Sequence, residues 1–234
     1  MNTKSMPNMN YIQKGSLPLR TSLFRVRFAA ILLAVAGLLF AIYPFLRPFS
    51  DEVSLQGATA FASVEWLVSH LIAMLAFILL TFGLYGVYVV LQETNVERIA
   101  FRGLILSWLG TALTLPFYGA EVFGLQVIGQ EAVKLQTVEL LKLANQIRTG
   151  PGFFIIIVGL MLLGLGLVMM ASALWKSRLF PKWVGVPLAV GFLMYLPQYA
   201  ATQPLRVAHG LLITAGCLWM AVCIIKHVNR GWNK

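Results

Sequence analysis

The chain has 234 residues, of which 59% are hydrophobic and only 11% charged, and its mean hydropathy is +0.81. A soluble domain carries about a quarter charged residues, so this composition excludes an ordinary soluble protein. The formal net charge of +10 is compatible either with a nucleic-acid partner or with an oriented membrane protein. The positions of the basic residues distinguish these two cases.

Six apolar stretches reach or approach the length of about 20 residues that a helix needs to cross a bilayer. They are continuous and lack the alternation of membrane strands. We therefore predict an all-α, polytopic membrane bundle between a polar cytoplasmic segment (1–27) and a cytoplasmic tail (227–234). Its six transmembrane helices comprise residues 28–46, 64–91, 101–121, 152–175, 183–203 and 207–225.

Basic residues concentrate on one side of the predicted membrane. With the N-terminus inside, thirteen of the eighteen Lys and Arg residues fall in cytoplasmic segments. This split follows the positive-inside rule and predicts that both termini are cytoplasmic. The positive charge then indicates orientation and contact with anionic membrane lipid, and not a nucleic-acid partner. The five basic residues on the outer side are Arg47, Lys134, Lys142, Arg148 and Arg206.

The segment between the third and fourth apolar runs, residues 122–151, is long and partly amphipathic. Within residues 131–148, apolar positions such as Leu140, Ala144 and Ile147 recur at helical spacing. Two interpretations stay open. The segment forms an extracytoplasmic amphipathic helix over the outer end of the bundle, or it extends the third helix beyond the membrane. The first is our prediction.

Four segments carry a resemblance to known sequences: AGLLFAIYPFLRP, WLVSHLIAMLAFILLTFGLYGVY, GTALTLPFYGAEVF and FPKWVGVPLAVG. Together they resemble a broad group of bacterial multi-pass, six-helix membrane proteins of unknown function. The resemblance covers most of the chain beyond residue 27. It implies a protein of the bacterial plasma membrane and implies no particular activity or cofactor.

Three ionisable side chains share a depth in the outer half of the predicted bundle. His70 lies about eight residues from the middle of the second span, or about 12 Å at 1.5 Å per residue. His209 is at a similar depth in the sixth span, and Glu121 is at the outer end of the third. Stripes of small and polar residues on the second and third helices predict that His70 and Glu121 face the interior, where polar groups find partners.

Other polar and aromatic residues are predicted at the same level. Pro116 is expected to bend the third helix just before Glu121. Arg206 is also a candidate partner for Glu121. The candidate ligand-binding residues are thus His70, Glu121, His209, Tyr118, Tyr195, Gln198, Tyr199, Trp66 and Arg206.

This set of residues allows three functional hypotheses. The favoured one is a pocket for a small ligand or amphiphile, used in sensing, transport or contact with a membrane-protein partner. The second is a haem b held axially by His70 and His209. The third is a zinc-dependent intramembrane hydrolase with His70, His209 and Glu121 as metal ligands and water in the fourth position. A purely structural alternative is that His70 hydrogen-bonds to a neighbouring helix and fixes its packing.

Overall fold

A computed structural model describes residues 19–232, and their side chains from residue 23 to residue 230. Of residues 19–232, 84% are helical, and no strand occurs among them. In chain order, the elements are α1 (Leu19–Leu46), α2 (Leu55–Ala62), α3 (Val64–Leu91), α4 (Glu97–Gly119), a π-helical turn (Ala120–Gly124), α5 (Leu125–Lys134), α6 (Leu141–Thr149), α7 (Pro151–Ser177), α8 (Val186–Leu193), a 3-10 turn (Pro197–Ala200) and α9 (Gln203–Trp232).

Five helices are long and apolar enough to cross a membrane. Large apolar side chains remain exposed on their outer faces, as Met161 illustrates with 63% of its surface accessible. Such surfaces are stable only against lipid or another apolar partner. The prediction of an all-α bundle with apolar helices of membrane length is thus confirmed. The five segments are Leu23–Leu46, Val64–Leu91, Glu97–Lys134, Pro151–Ser177 and Gln203–Arg230.

Both predicted polar ends are partly helical where the structure describes them. Helix α1 begins at Leu19, inside the segment predicted to be polar, and the rest of that segment (1–18) lies outside the described residues. Helix α9 continues to Trp232, so the predicted tail from residue 227 is mostly helical.

The helices form a closed ring in which neighbours run antiparallel. The order around the ring is α1, α3, α4, α7, α8 and α9, and α9 packs against α1 again. Two contacts illustrate the direction: Phe40 lies against Phe77, and Tyr43, further along α1, lies against His70, which is earlier in α3. The ring encloses the core, in which Phe40, Phe77, Phe192, Tyr118 and Tyr195 contact one another edge to face or stacked.

The fifth predicted span, residues 183–203, is not one long α-helix. Only Val186–Leu193 is α-helical, and the chain then passes through a short turn into the 3-10 turn. Pro197 explains part of this difference, because its nitrogen has no hydrogen to donate to a preceding carbonyl. Hydrogen bonds of the 3-10 type, such as Tyr199 N–H to the Leu196 carbonyl, continue the chain.

This broken segment nevertheless runs along the whole of α9. At one end, the Phe180 ring lies tilted against the His227 ring, with 5.3 Å between ring centroids. At the other end, the Arg206 guanidinium donates a hydrogen bond to the Tyr199 carbonyl. The segment therefore occupies the sixth place in the ring.

Residues 131–148 form two helices instead of the single predicted one. Helix α5 continues the third apolar helix through the π-helical turn and ends at Lys134. Gln136 then adopts a left-handed conformation (φ 50°), and α6 begins at Leu141. The first half of the segment thus extends the third apolar helix, and the second half forms a separate short helix.

Helices α2, α5 and α6 pack together at one end of the ring, and we call them the cap. Its small core is separate from the main core and includes Phe61, Leu125, Leu141 and Ala144. Trp66, at the start of α3, belongs to this small core and connects the cap to the ring.

Gly110→Ala is expected to destabilise the bundle, because a Cβ atom there would lie 2.4 Å from the Leu163 backbone nitrogen on α7. Overpacking of this kind typically costs about 1–3 kcal/mol. The measurement is the thermal unfolding midpoint of the detergent-solubilised protein, followed by circular dichroism. Gly119→Ala on the same helix is the matched control, since a Cβ there meets nothing within 4 Å. Equal losses in both variants would contradict a tight contact between α4 and α7.

Candidate functional site

A cavity of about 230 Å³ lies between the ring and the cap. Part of its lining is aromatic and aliphatic, with Tyr43, Phe117, Tyr118, Ile156 and Leu196 among these residues. The lining also carries ionisable side chains, which is unusual inside an apolar bundle and marks a candidate functional site. These side chains are Arg47, Glu52, His70, Glu121, Arg148 and Arg206.

His70 is buried on the second turn of α3, with 2% of its surface accessible. Its Nδ1 lies 2.8 Å from the Trp66 carbonyl oxygen, which assigns the ring proton to Nδ1. Its Nε2 is then an acceptor. The Glu121 Oε2 is 3.9 Å away, too far for a hydrogen bond. Among the described residues, Nε2 has no hydrogen-bond donor and is available to a ligand in the cavity.

Glu121 lies in the π-helical turn that follows Pro116. In an α-helix, the Leu125 N–H would bond to the Glu121 carbonyl, but here it donates to the Ala120 carbonyl. The Trp66 Nε1 instead donates to the Glu121 carbonyl at 2.7 Å. Single π-helical turns are frequent at functional sites, because they re-aim side chains. In this chain, Glu121 belongs to the π-helical turn and lines the cavity.

A chain of ion pairs crosses the cavity wall. Arg148, from α6, donates two hydrogen bonds to Glu121, from Nε at 2.6 Å and from a terminal nitrogen at 2.7 Å. Its other terminal nitrogen donates to Glu52, and Arg47 donates to the second oxygen of Glu52 at 2.6 Å. Bidentate pairs of this kind are the strongest ionic hydrogen bonds in proteins. The cap is thus fastened to the ring through charged groups.

The loop residue Glu52 is strained and electrostatically stabilised. It adopts a left-handed conformation (φ 60°), which is costly for a residue with a Cβ atom. Burial opposes ionisation of its carboxyl, but the positive charges of Arg148 and Arg47 outweigh burial and hold the pKa of Glu52 below its usual value. Burial likewise opposes the charge on Arg148, but Glu121 and Glu52 raise the pKa of the Arg148 guanidinium above its usual value.

Arg206 lies at the start of α9, next to a group of tyrosines. Its Nε donates to the Ala201 carbonyl at 3.0 Å, and a terminal nitrogen donates to the Tyr199 carbonyl. The Tyr118 hydroxyl bonds to that of Tyr195 at 2.9 Å and to that of Tyr199 at 3.3 Å. Arg206 has no carboxylate partner in the described part of the chain.

The candidate residues named from the sequence fall into three groups. His70, Glu121, Tyr118, Tyr199 and Arg206 line the cavity. Trp66 and Tyr195 support that lining through hydrogen bonds to the Glu121 carbonyl and the Tyr118 hydroxyl. Gln198 and His209 are not part of the lining.

His209 shares a depth with His70 but not a cavity. Its Nε2 lies 2.7 Å from the Gly191 carbonyl oxygen, and its ring packs against Tyr195. The contacts from His70 reach it only through Tyr118 and Tyr195. The structure therefore brings His70 and Glu121 to one cavity, whereas His209, predicted to join them, lies outside its lining.

The predicted cofactor sites do not fit this geometry. Between residues 23 and 230, no group of three or more His, Cys, Asp or Glu side chains is placed to hold a metal ion. The zinc site formed by His70, His209 and Glu121 therefore lacks its ligand set. A haem held by both histidines is equally unsupported, since the Nε2 of His209 is bonded to Gly191 outside the cavity.

Four residues of the lining were not predicted from the sequence: Tyr43, Arg47, Glu52 and Arg148. Three of them are charged, and the only signal available was that Arg47 and Arg148 belong to the minority of basic residues on the predicted outer side. Glu52 and Arg148 come from the cap region, where hydrophobic periodicity gives no position relative to the ring.

No protein-family model matches the chain, and no curated protein or solved structure is significantly similar to it. Its function is therefore inferred from the cavity. The resemblance to bacterial multi-pass membrane proteins stays a prediction.

Arg148→Met is expected to loosen the cap, because it leaves Glu121 and Glu52 without their shared cation. Removing one partner of a fully buried pair costs about 3–5 kcal/mol. Because Arg148 is 23% exposed, solvent screening lowers the expected loss to about 2 kcal/mol. Amide exchange in α5 and α6 should then become about thirtyfold faster, with α7 unchanged.

Lys142→Met on the same helix is the matched control for this experiment. Lys142 pairs with Glu139 on the surface, where both side chains are about 70% exposed, and such pairs contribute little. Unchanged exchange in Arg148→Met would mean that the ion pairs do not hold the cap.

Acid is expected to loosen the cap through Glu52. Because its pKa is lower in the folded protein than the ordinary value of 4.5, Glu52 contributes stability above pH 4.5 that is lost as the pH falls through the folded pKa. Cap exchange corrected for intrinsic rates should thus be constant from pH 7 to 5 and increase below 4.5. In Glu52→Gln most of this increase should disappear. The remainder belongs to Asp51, whose pKa is lowered by hydrogen bonds from Ser54. A full acid response in the variant would exclude Glu52 as its source.

Proposed function

We propose that the protein crosses a bacterial plasma membrane six times, with both termini in the cytoplasm and the cap outside. The charge asymmetry of the sequence supports this orientation. The course of residues 180–201 along the whole of α9 supports a sixth crossing, made by a broken helix. Broken helices are tolerated at membrane depth where other protein segments surround their free backbone groups.

We further propose that the cavity binds the polar head of a small amphiphile. The single observation that carries this proposal is an apolar ring that ends in a cavity lined by both charged groups and aromatic rings. Arginine and glutamate side chains lose hydration there, and a purely structural contact could be made at lower cost by apolar residues. Polar atoms that remain free toward the cavity, as in His70 and Arg206, are what a ligand needs.

The size of the cavity fits a head group better than a whole ligand. Pockets that enclose drug-sized molecules usually measure about 300–1,000 Å³, and this one measures about 230 Å³. A second cavity of about 300 Å³ lies beside it, between α4, α6 and the start of α7. Phe117 lines both cavities, and Pro116, Ile147 and Ile155 make the second one largely apolar. An aliphatic tail would be accommodated there.

Binding of such an amphiphile suits a role in sensing, in transport or in service to a membrane-protein partner. The cap would then respond to the ligand, because Arg148 and Glu52 belong both to the cavity wall and to the contacts that fasten the cap. Ligand binding and cap closure would share the same charged groups.

Photoaffinity labelling tests this proposal. The full-length protein in phosphatidylcholine nanodiscs is exposed to twelve-carbon probes with a diazirine in the chain and a carboxylate, phosphate, ammonium or hydroxyl head. At least one probe should label cavity residues saturably. Leu196→Trp, which fills the cavity, should weaken this labelling about tenfold or more.

Leu193→Trp is the matched control, because Leu193 belongs to the same segment but is exposed on the outside of the ring. It should label as the unmodified protein does. Unsaturable labelling of outward-facing residues by every probe, unaffected by Leu196→Trp, would end the proposed binding function.

A further inference from the structure

We propose that the ligand head is an anion of the carboxylate or phosphate type and that Arg206, assisted by Arg47, is its receptor. This inference rests on the proposed binding function and specifies the chemistry of the ligand.

The charge of the cavity wall favours an anion. Three arginines and two glutamates line the cavity, which leaves one positive charge without compensation. His70 does not add to this count, because its Nδ1–H is bonded to the Trp66 carbonyl and its Nε2 carries no proton. Arg206 is only partly buried, but a guanidinium that has lost part of its hydration is still costly without a counter-charge, and a bound anion would offset that cost.

The three arginines differ in how many of their donors are already in use. Arg148 uses its Nε and both terminal nitrogens on Glu121 and Glu52 and has little left to offer. Arg47 makes one such bond, to Glu52, and its guanidinium lies over the Trp66 ring at 4.6 Å. Within residues 23–230, neither Arg47 nor Arg206 is saturated by carboxylates.

Arg206 is held in place by neutral groups only. Its Nε and one terminal nitrogen donate to the carbonyls of Ala201 and Tyr199, and its guanidinium lies 5.2 Å from the centre of the Phe49 ring. These contacts fix the plane of the guanidinium without neutralising its charge. The second terminal nitrogen makes no hydrogen bond among the described residues, so it can donate to an oxygen of an incoming anion.

Neutral donors beside Arg206 complete the receptor. Tyr199 and Tyr118 line the same cavity and share a hydroxyl–hydroxyl hydrogen bond of 3.3 Å. A carboxylate or phosphate oxygen accepts readily from a tyrosine hydroxyl. If the head is protonated or carries a hydroxyl, the free Nε2 of His70 can accept its proton in a hydrogen bond.

A cationic head group would find no free carboxylate oxygen among Glu52 and Glu121. Both oxygens of Glu121 and of Glu52 already accept from Arg148 or Arg47. An ammonium group would have to displace a guanidinium while lying near the charge of Arg206. The geometry therefore disfavours cations as well as favouring anions.

The four photoaffinity probes, used in the same phosphatidylcholine nanodiscs, test this inference. Half-saturation by the carboxylate or the phosphate probe should occur at a concentration about tenfold or more below that of the hydroxyl probe, with the ammonium probe weakest. Arg206→Gln should raise the half-saturating concentration of the acidic probes by about tenfold or more and that of the hydroxyl probe by much less, because a hydroxyl loses only a weaker hydrogen bond. Arg25→Gln, an exposed arginine at the far end of α1, should change neither.

The outcomes separate this inference from the proposed function. If the hydroxyl probe labels the cavity as tightly as the acidic ones, or if Arg206→Gln leaves the acidic probes unchanged, the anion receptor is excluded while a binding site remains. Retained hydroxyl labelling in Arg206→Gln shows that the variant is folded. If that labelling is lost, Arg206→Lys replaces it, and because it keeps the charge but not the planar fork, it should weaken acidic probes by less than Arg206→Gln.

Acetate and inorganic phosphate identify the source of the anion. Both share the chemistry of an acidic head group but have no tail. If they compete only at concentrations far above those of dodecanoate, the site takes an amphiphile head. If they compete at the same concentrations, the receptor binds a free anion. Either result supports an anion site, whereas absence of competition by dodecanoate itself would contradict it.

Discussion

The ion pair between Arg148 and Glu121 is the interaction on which the polar half of this structure depends. Glu121 is buried near the end of an apolar ring, where an ionised carboxylate needs a cation and hydrogen-bond donors. Arg148 supplies both, and it comes from the cap and not from the ring. Its remaining nitrogen bonds to Glu52, which in turn bonds to Arg47. A single guanidinium therefore keeps the carboxylates from repelling each other and, together with the apolar contacts of Trp66, holds the cap against the ring.

Trp66 joins this polar arrangement to the apolar core. Its indole N–H bonds to the Glu121 carbonyl that the π-helical turn releases, and its ring lies under Arg47 and against Phe61. Its own carbonyl fixes the tautomer of His70. Displacement of the cap would thus disturb the hydrogen bonding of His70 and the position of Arg47 together. In the proposed function, such coupling would transmit binding in the cavity to the cap.

Hydropathy predicted most of the fold because the bilayer constrains length and composition. The second and fourth spans, predicted at 64–91 and 152–175, correspond to helices at Val64–Leu91 and Pro151–Ser177. Hydropathy did not predict the break within residues 183–203. Pro197 has no N–H for a helical hydrogen bond, but the segment around it remains apolar. The position of His209 along its helix also did not predict its neighbours, because depth along one helix says nothing about the direction in which the side chain points around the ring.

The five basic residues assigned to the outer side show why the sequence predicted only some of the charged residues that line the cavity. A positive-inside count treats them as exceptions, but the structure gives each a separate reason. Lys134 and Lys142 form exposed pairs with Glu131 and Glu139, so they add little net charge to that end. The three arginines all line the cavity: Arg47, Arg148 and Arg206. In this chain, the basic residues that oppose the orientation rule and lack a neighbouring acid in the same helix are therefore the ones that line the cavity.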